Sequence, residues 1–143
     1  MKKIIIASSK SWFNEDVISN FKNDFKVIFV KNSNSLVEAI KNNPDIKQIF
    51  FVHWNWKVAE SIYNNYYSVC FHIAPLPKGR GGSPIQNLIL KGYKSAPLNA
   101  LIMTDRIDAG PILLSKEISL SGSLDQIFKR MKPAVIGMIN EIG

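Results

Sequence analysis

Ile4-Ile5-Ile6-Ala7 is a short, continuous run made mostly of β-branched residues, the pattern of a strand buried on both faces in a parallel sheet. Working outward, the same texture returns at Val27-Ile28-Phe29-Val30 and Ile49-Phe50-Phe51-Val52, which read as the second and third strands. Between them Val17, Ile18 and Phe21 recur at helical spacing. Ser35 to Lys41 reads as a helix, with Ser35 and Glu38 placed as a capping box before Pro44 and Asp45 break it. Val58 to Tyr63 reads as a further helix and Ser68 to His72 as a fourth strand. Strands and helices alternating at this spacing predict an α/β fold with an open, mostly parallel sheet and flanking helices.

The texture then changes. Pro75-Leu76-Pro77-Lys78-Gly79-Arg80-Gly81-Gly82 carries two prolines and three glycines within its length and reads as a loop, neither helix nor central strand. Ser83, Pro84 and Gln86 supply an N-cap, a first-turn proline and a reciprocal partner for a helix running through Leu88 and Leu90 to Gly92. Leu98 to Met103 reads as a fifth strand, Thr104 to Gly110 as a tight acidic loop, and Pro111 to Leu114 as the start of another extended segment. A last helix follows Ser123, where Ser123 and Gln126 again match a capping box. No repeat or linker interrupts the chain, so residues 1–143 read as a single domain.

Eighteen Lys and Arg against eleven Asp and Glu give a formal charge of +7, which favours an anionic partner without choosing one, because the lysines are scattered. The single cysteine, Cys70, excludes an intrachain disulfide. The apolar run after Met1-Lys2-Lys3 ends at Ala7, too short for a signal peptide, and no stretch approaches the roughly 18 apolar residues of a membrane span. A cytoplasmic location away from membranes is expected.

Ligands of open α/β sheets bind outside the carboxyl ends of the strands. Three features are predicted there: His53 with Trp54, Asn55 and Trp56, then His72, then Asp108. Cys70 and His72 stand two apart on one strand and share a face. By strand rise they lie roughly 6.5–7 Å apart, too far for a ready Cys–His hydrogen bond. There is no Gly-x-Gly-x-x-Gly and no Walker-type Gly-Lys-Ser/Thr. None of His53, His72, Cys70 and Asp108 has the local spacing of a zinc-ligand pair, and no metal is expected.

Phe71-His72-Ile73-Ala74-Pro75-Leu76-Pro77, then Arg80-Gly81, Pro84-Ile85 and Asp108-Ala109-Gly110-Pro111-Ile112 resemble the catalytic segment of the formyltransferases that use N10-formyltetrahydrofolate. The strong match covers residues 70–114, and the Pro-Leu-Pro loop looks closest to the nucleotide-sugar N-formyltransferase branch. The resemblance implies a Rossmann-like formyltransferase fold. It implies formyl transfer to the amino group of a nucleotide-linked amino sugar, with N10-formyltetrahydrofolate as the donor substrate. The alternatives are a methionyl-tRNA formyltransferase-like enzyme and a catalytically weak or dead relative that binds folate or a nucleotide sugar. The RNA-acting members use a further C-terminal domain, which argues against a nucleic acid partner here. The resemblance also implies residues beyond Gly143 in a longer protein, and a homodimer is one expected assembly.

By the same resemblance, His72 would donate to the developing oxyanion or relay a proton, and Asp108 would orient the imidazole and accept the proton. The pterin would lie against Trp54, Asn55, Trp56 and Val58 and the loop holding Thr104, Asp105 and Asp108. Pro77, Lys78, Arg80 and Gly81 would face the acceptor substrate. Cys70 stands where the family carries Asn. A thiol is a weak donor and does not replace an amide NH2, and Asn55 and Asn87 are the candidates to supply that amide.

Overall fold

The computed structural model describes residues 2–46, 48–76 and 84–143. Among them, six strands form one mixed sheet: β1 (Lys2–Ser8), β2 (Phe25–Val30), β3 (Gln48–Val52), β4 (Tyr67–Ile73), β5 (Ser95–Ile102) and β6 (Ile112–Ser119). Their spatial order is β2-β1-β3-β4-β5-β6. β1 and β3 lie inside the sheet, and every residue from Ile4 to Ser8 and from Gln48 to Val52 is buried. That is why those two runs are apolar without alternation. Successive residues still point to opposite faces. Ile4, Ile6, Phe50 and Val52 enter one core, while Ile5, Ala7, Ile49 and Phe51 enter a second on the other side of the sheet.

The first four strands are parallel, as the sequence predicts. The last two depart from it, because β5 runs antiparallel to β4 and β6 antiparallel to β5. The connecting helix α3 is Pro84–Leu90. β5 starts near the carboxyl end of β4, with Leu98 opposite Ile73, and runs back alongside it.

The helices form largely where predicted, with shifted ends. α1 is Ser33–Asn42 and α2 is Glu60–Asn65. The cap of α1 is Asn32 and not Ser35: Asn32 Oδ1 accepts from Ser35 N–H at 2.8 Å, and Ser35 Oγ accepts from Asn32 N–H at 3.1 Å. An Asn carbonyl serves as well as a hydroxyl at that position, which moves the capping box three residues upstream. The predicted helix around Val17 is a single 3-10 segment, Glu15–Asn20, with Phe13, Val17 and Phe21 as its buried anchors. α3 closes at Gly92, whose φ of +87° a side chain would resist, with Tyr93 N–H returning to Leu88 O at 3.0 Å. The predicted Ser83 cap lies outside the described residues. α4 (Leu124–Ile142) begins with the predicted box, Gln126 N–H to Ser123 Oγ at 3.2 Å and Ser123 N–H to Gln126 Oε1 at 2.8 Å. Its Ile127, Met131, Ala134, Val135, Met138 and Ile139 are buried against the sheet.

Phe50 is fully buried in the central strand and packs 6.4 Å from the ring of Phe71. Phe50→Ala should lower unfolding stability by about 3–5 kcal/mol through lost burial and the cavity left behind, read as a lower urea midpoint. An unchanged midpoint would contradict this core.

Candidate active site

β4 outruns its neighbour. The last pair it makes with β3 is Phe51 opposite Cys70, and the strand continues to Ile73. His72 thus stands past the carboxyl end of β3, with its side chain 7% exposed. Asn99 on β5, directly opposite His72, braces this overhang. Its Nδ2 donates to the carbonyls of Ala74 at 2.9 Å and His72 at 3.2 Å, while Ser115 Oγ donates to its Oδ1 at 2.6 Å.

Asp108 arrives from the other direction. Because β5 is antiparallel, its carboxyl end lies away from the overhang, with Met103 N–H bonded to Ser68 O at 2.9 Å. The predicted reason for grouping Asp108 with the histidines, a shared carboxyl edge, is therefore wrong for this strand. The chain doubles back instead. Ile102 N–H bonds to Pro111 O at 3.0 Å, and a Cβ on Gly110 would overlap the carbonyl oxygen of Ile102. The return brings Asp108 Oδ2 to 3.4 Å from His72 Nδ1. Asp108 adopts φ +52° and His53 φ +53°; among the described residues these are the non-glycine residues with positive φ. Such backbone strain gathers at functional sites, and both residues line the same cavity.

That cavity has a volume of about 890 Å³, within the range of small-molecule sites. It passes over the end of β3 and reaches both faces of the sheet. Trp54, Val58, Tyr63, Cys70 and Met103 line one part, and Trp12, Phe71, Ile85, Phe128, Met131 and Val135 line the other. All the predicted pterin residues, Trp54, Asn55, Trp56, Val58, Thr104, Asp105 and Asp108, line it, as do Cys70 and His72. Trp54 packs edge-on against both Phe51 and Trp56. Thr104 Oγ1 accepts from Arg106 N–H at 3.3 Å, which shapes the start of the 104–110 loop. Asn55 lines the cavity, whereas Asn87 is exposed on α3 and not among the lining residues. Pro77, Lys78, Arg80 and Gly81 lie outside the described residues.

Burial, helped by the charge of Asp108, pushes the Cys70 thiol up to about 12. The thiol is neutral near pH 7 and is not a thiolate nucleophile. Partial desolvation, ahead of the charge of Lys10, lowers the pKa of His53. Among the described residues, no group of three or more His, Cys, Asp or Glu is placed to hold a metal ion, and no helix is long and apolar enough to cross a membrane.

Sequence reasoning missed Lys10, Trp12, Phe128, Met131 and Val135 as wall residues. Phe128, Met131 and Val135 recur at helical spacing on α4, a pattern that in sequence is indistinguishable from ordinary core.

No protein-family model matches the chain. Methionyl-tRNA formyltransferase from Thermotoga maritima is 42% identical over 66 residues, 43% of this chain and 21% of that protein. The corresponding enzyme of Mycoplasmopsis pulmonis is 32% identical over 116 residues, 77% of this chain and 39% of that protein. The chain thus spans two fifths or less of the length of these curated relatives. Among solved structures, methionyl-tRNA formyltransferase from Clostridium thermocellum superposes with a TM-score of 0.90 at 33% identity, covering 99% of this chain and 64% of that one. With the ordered motif, the His72–Asp108 geometry and these relatives in agreement, the chain belongs to the formyltransferase family.

Proposed function

We propose that this domain transfers a formyl group from N10-formyltetrahydrofolate to the α-amino group of a methionyl acceptor. The observation that carries the reading is the His72–Asp108 pair, held at 3.4 Å in a cavity that spans both faces of the sheet. In the reaction the amine nitrogen attacks the formyl carbon, a tetrahedral oxyanion forms, the amine loses a proton, and the bond to N10 breaks as N10 takes up a proton, which yields the formamide and tetrahydrofolate. His72 meets the oxyanion or relays that proton, and Asp108, against Nδ1, orients and charge-balances the ring. Trp54 to Val58 and the 104–108 loop hold the pterin.

The apolar wall of Ile85, Phe128, Met131 and Val135 suits a thioether side chain better than a sugar, and the three relatives described above, each at least 30% identical, are methionyl-tRNA formyltransferases. A nucleotide-linked amino sugar, the acceptor expected from the resemblance, rests on Pro75-Leu76-Pro77 and the run from Arg80 to Asn87, of which Pro77 and residues 80–83 lie outside the described residues. A formyl-transfer assay that offers methionyl-tRNA beside a panel of amino-sugar nucleotides tests the choice. Release of tetrahydrofolate with methionyl-tRNA alone supports the reading, and turnover only with an amino sugar reverses the acceptor.

A second reading, a folate-binding relative with little turnover, is favoured by Cys70, whose neutral thiol is a poor donor where the family carries an amide. Cys70→Asn should raise the rate by about 10²–10³, the worth of one oxyanion donor. No turnover in either form would leave only the binding role.

His72→Ala should reduce kcat/KM by roughly 10²–10⁴, and Asp108→Asn should reduce it in the same direction. Full activity in His72→Ala would remove the mechanism. Gly110→Ala should also reduce kcat sharply, because the added Cβ forces the return loop off Ile102 and carries Asp108 away from His72. Wild-type kcat in that variant would show that the 3.4 Å approach is not needed.

A further inference from the structure

Trp12 Nε1 lies 2.9 Å from His53 Nδ1. An indole nitrogen only donates, so Nδ1 of His53 must accept, and the neutral ring carries its proton on Nε2. Trp12 is itself held in place. Its ring is parallel to Phe128 within 1° at 5.1 Å, and Phe13 meets it edge-on at 5.7 Å. The backbone of His53 is pinned as well. Its carbonyl accepts from Ser9 N–H at 3.4 Å, and Asn55 N–H bonds to Ser9 Oγ at 3.0 Å, which holds the positive φ at the end of β3. The residue remains exposed at the cavity, and Lys10, close enough to act on its charge, lines the same wall. This wall lies on the α4 side of the cavity, opposite the Trp54–Val58 side assigned above to the pterin.

We propose that His53 is a binding residue for the acceptor substrate, its Nε2–H donating, beside the Lys10 ammonium, to a phosphoryl oxygen. The inference rests on the formyl-transfer reading for which half of the cavity takes the acceptor. The fixed tautomer does the selecting. A ring free to exchange its proton offers either a donor or an acceptor, whereas this one offers only a donor to the cavity. Partial desolvation of the ring, with the charge of Lys10, favours the neutral form that keeps the Trp12 bond. The phosphoryl group could belong to a nucleotide-linked sugar or to the terminal nucleotide of an aminoacylated RNA, and the two differ in what accompanies it.

The tautomer is read first, from the long-range ¹⁵N–¹H spectrum of the histidine side chains at pH 7. His53 should show the Nε2–H form in the wild type and a mixture in Trp12→Phe. Inorganic phosphate should then shift His53 Nε2 saturably, with affinity reduced roughly tenfold in His53→Phe, the worth of one hydrogen bond to a charged oxygen, and largely restored in His53→Gln. Titrating 3′-O-methionyl-adenosine 5′-monophosphate against thymidine diphosphate distinguishes the sources, the tighter ligand naming the one used. Quenching of Trp54 and Trp56 fluorescence by 5-formyltetrahydrofolate serves as the separate measure of the donor half. Folate binding equal in wild type and His53→Phe, with His53 perturbed by phosphate, supports the proposal. An Nδ1–H tautomer, or no response of His53 to any of the three phosphates, overturns it. Absent folate binding with a phosphate-responsive His53 instead overturns the formyl-transfer reading and leaves the phosphate site standing.

Discussion

The approach of Gly110 to the carbonyl of Ile102 is the constraint on which the geometry of this molecule turns. β5 carries the chain away from the overhanging end of β4, so a carboxylate that is to meet His72 has to be brought back within a few residues. The return is tight enough that no side chain fits at position 110, and it leaves Asp108 in the left-handed region, which Asp tolerates better than most residues. β6 then begins at Ile112 and pairs with β5 through an irregularity at Ala100/Leu101, a bulge of the kind that re-aims a strand beside a site.

A second consequence follows from the unequal lengths of β3 and β4. With β3 ending two residues early, the space past Val52 is open to both faces of the sheet, and one cavity draws its walls from two separate cores. A donor and an acceptor can then approach the same reacting atoms from opposite sides without crossing. Asn99 makes the overhang rigid by tying down the carbonyls of His72 and Ala74. The buried amide is well satisfied there, since Ser115 completes its hydrogen bonding from the neighbouring strand.

The electrostatics fit this arrangement. The charge of Asp108 acts on both the imidazole of His72 and the thiol of Cys70. It keeps company with one through direct contact and suppresses ionisation of the other, adding to the effect of burial. Cys70 is thereby a small neutral wall residue. The residues that mark the family motif and the residue that departs from it are parts of one charge distribution.

The parallel half of the sheet, the Ser123 box of α4 and the closeness of His72 to a cleft were legible in the chain, because each depends on neighbours within a few residues. Runs such as Ile49 to Val52 can be satisfied only by burial on both sides, and a Ser with Gln three residues later answers a local need for helix N–H partners. The position of α1's cap was less legible, since Asn32 and Ser35 both offer an oxygen and only the built turn chose. The antiparallel direction of β5, the doubling back at Gly110 and the meeting of Trp12 with His53 across 41 residues were decided by tertiary structure alone. Strand direction and contact between distant side chains both depend on which segments pack beside one another in the sheet, not on neighbours along the chain. By itself the sequence determined which residues are candidates for the chemistry; the packing determined that His72 and Asp108 would face one another.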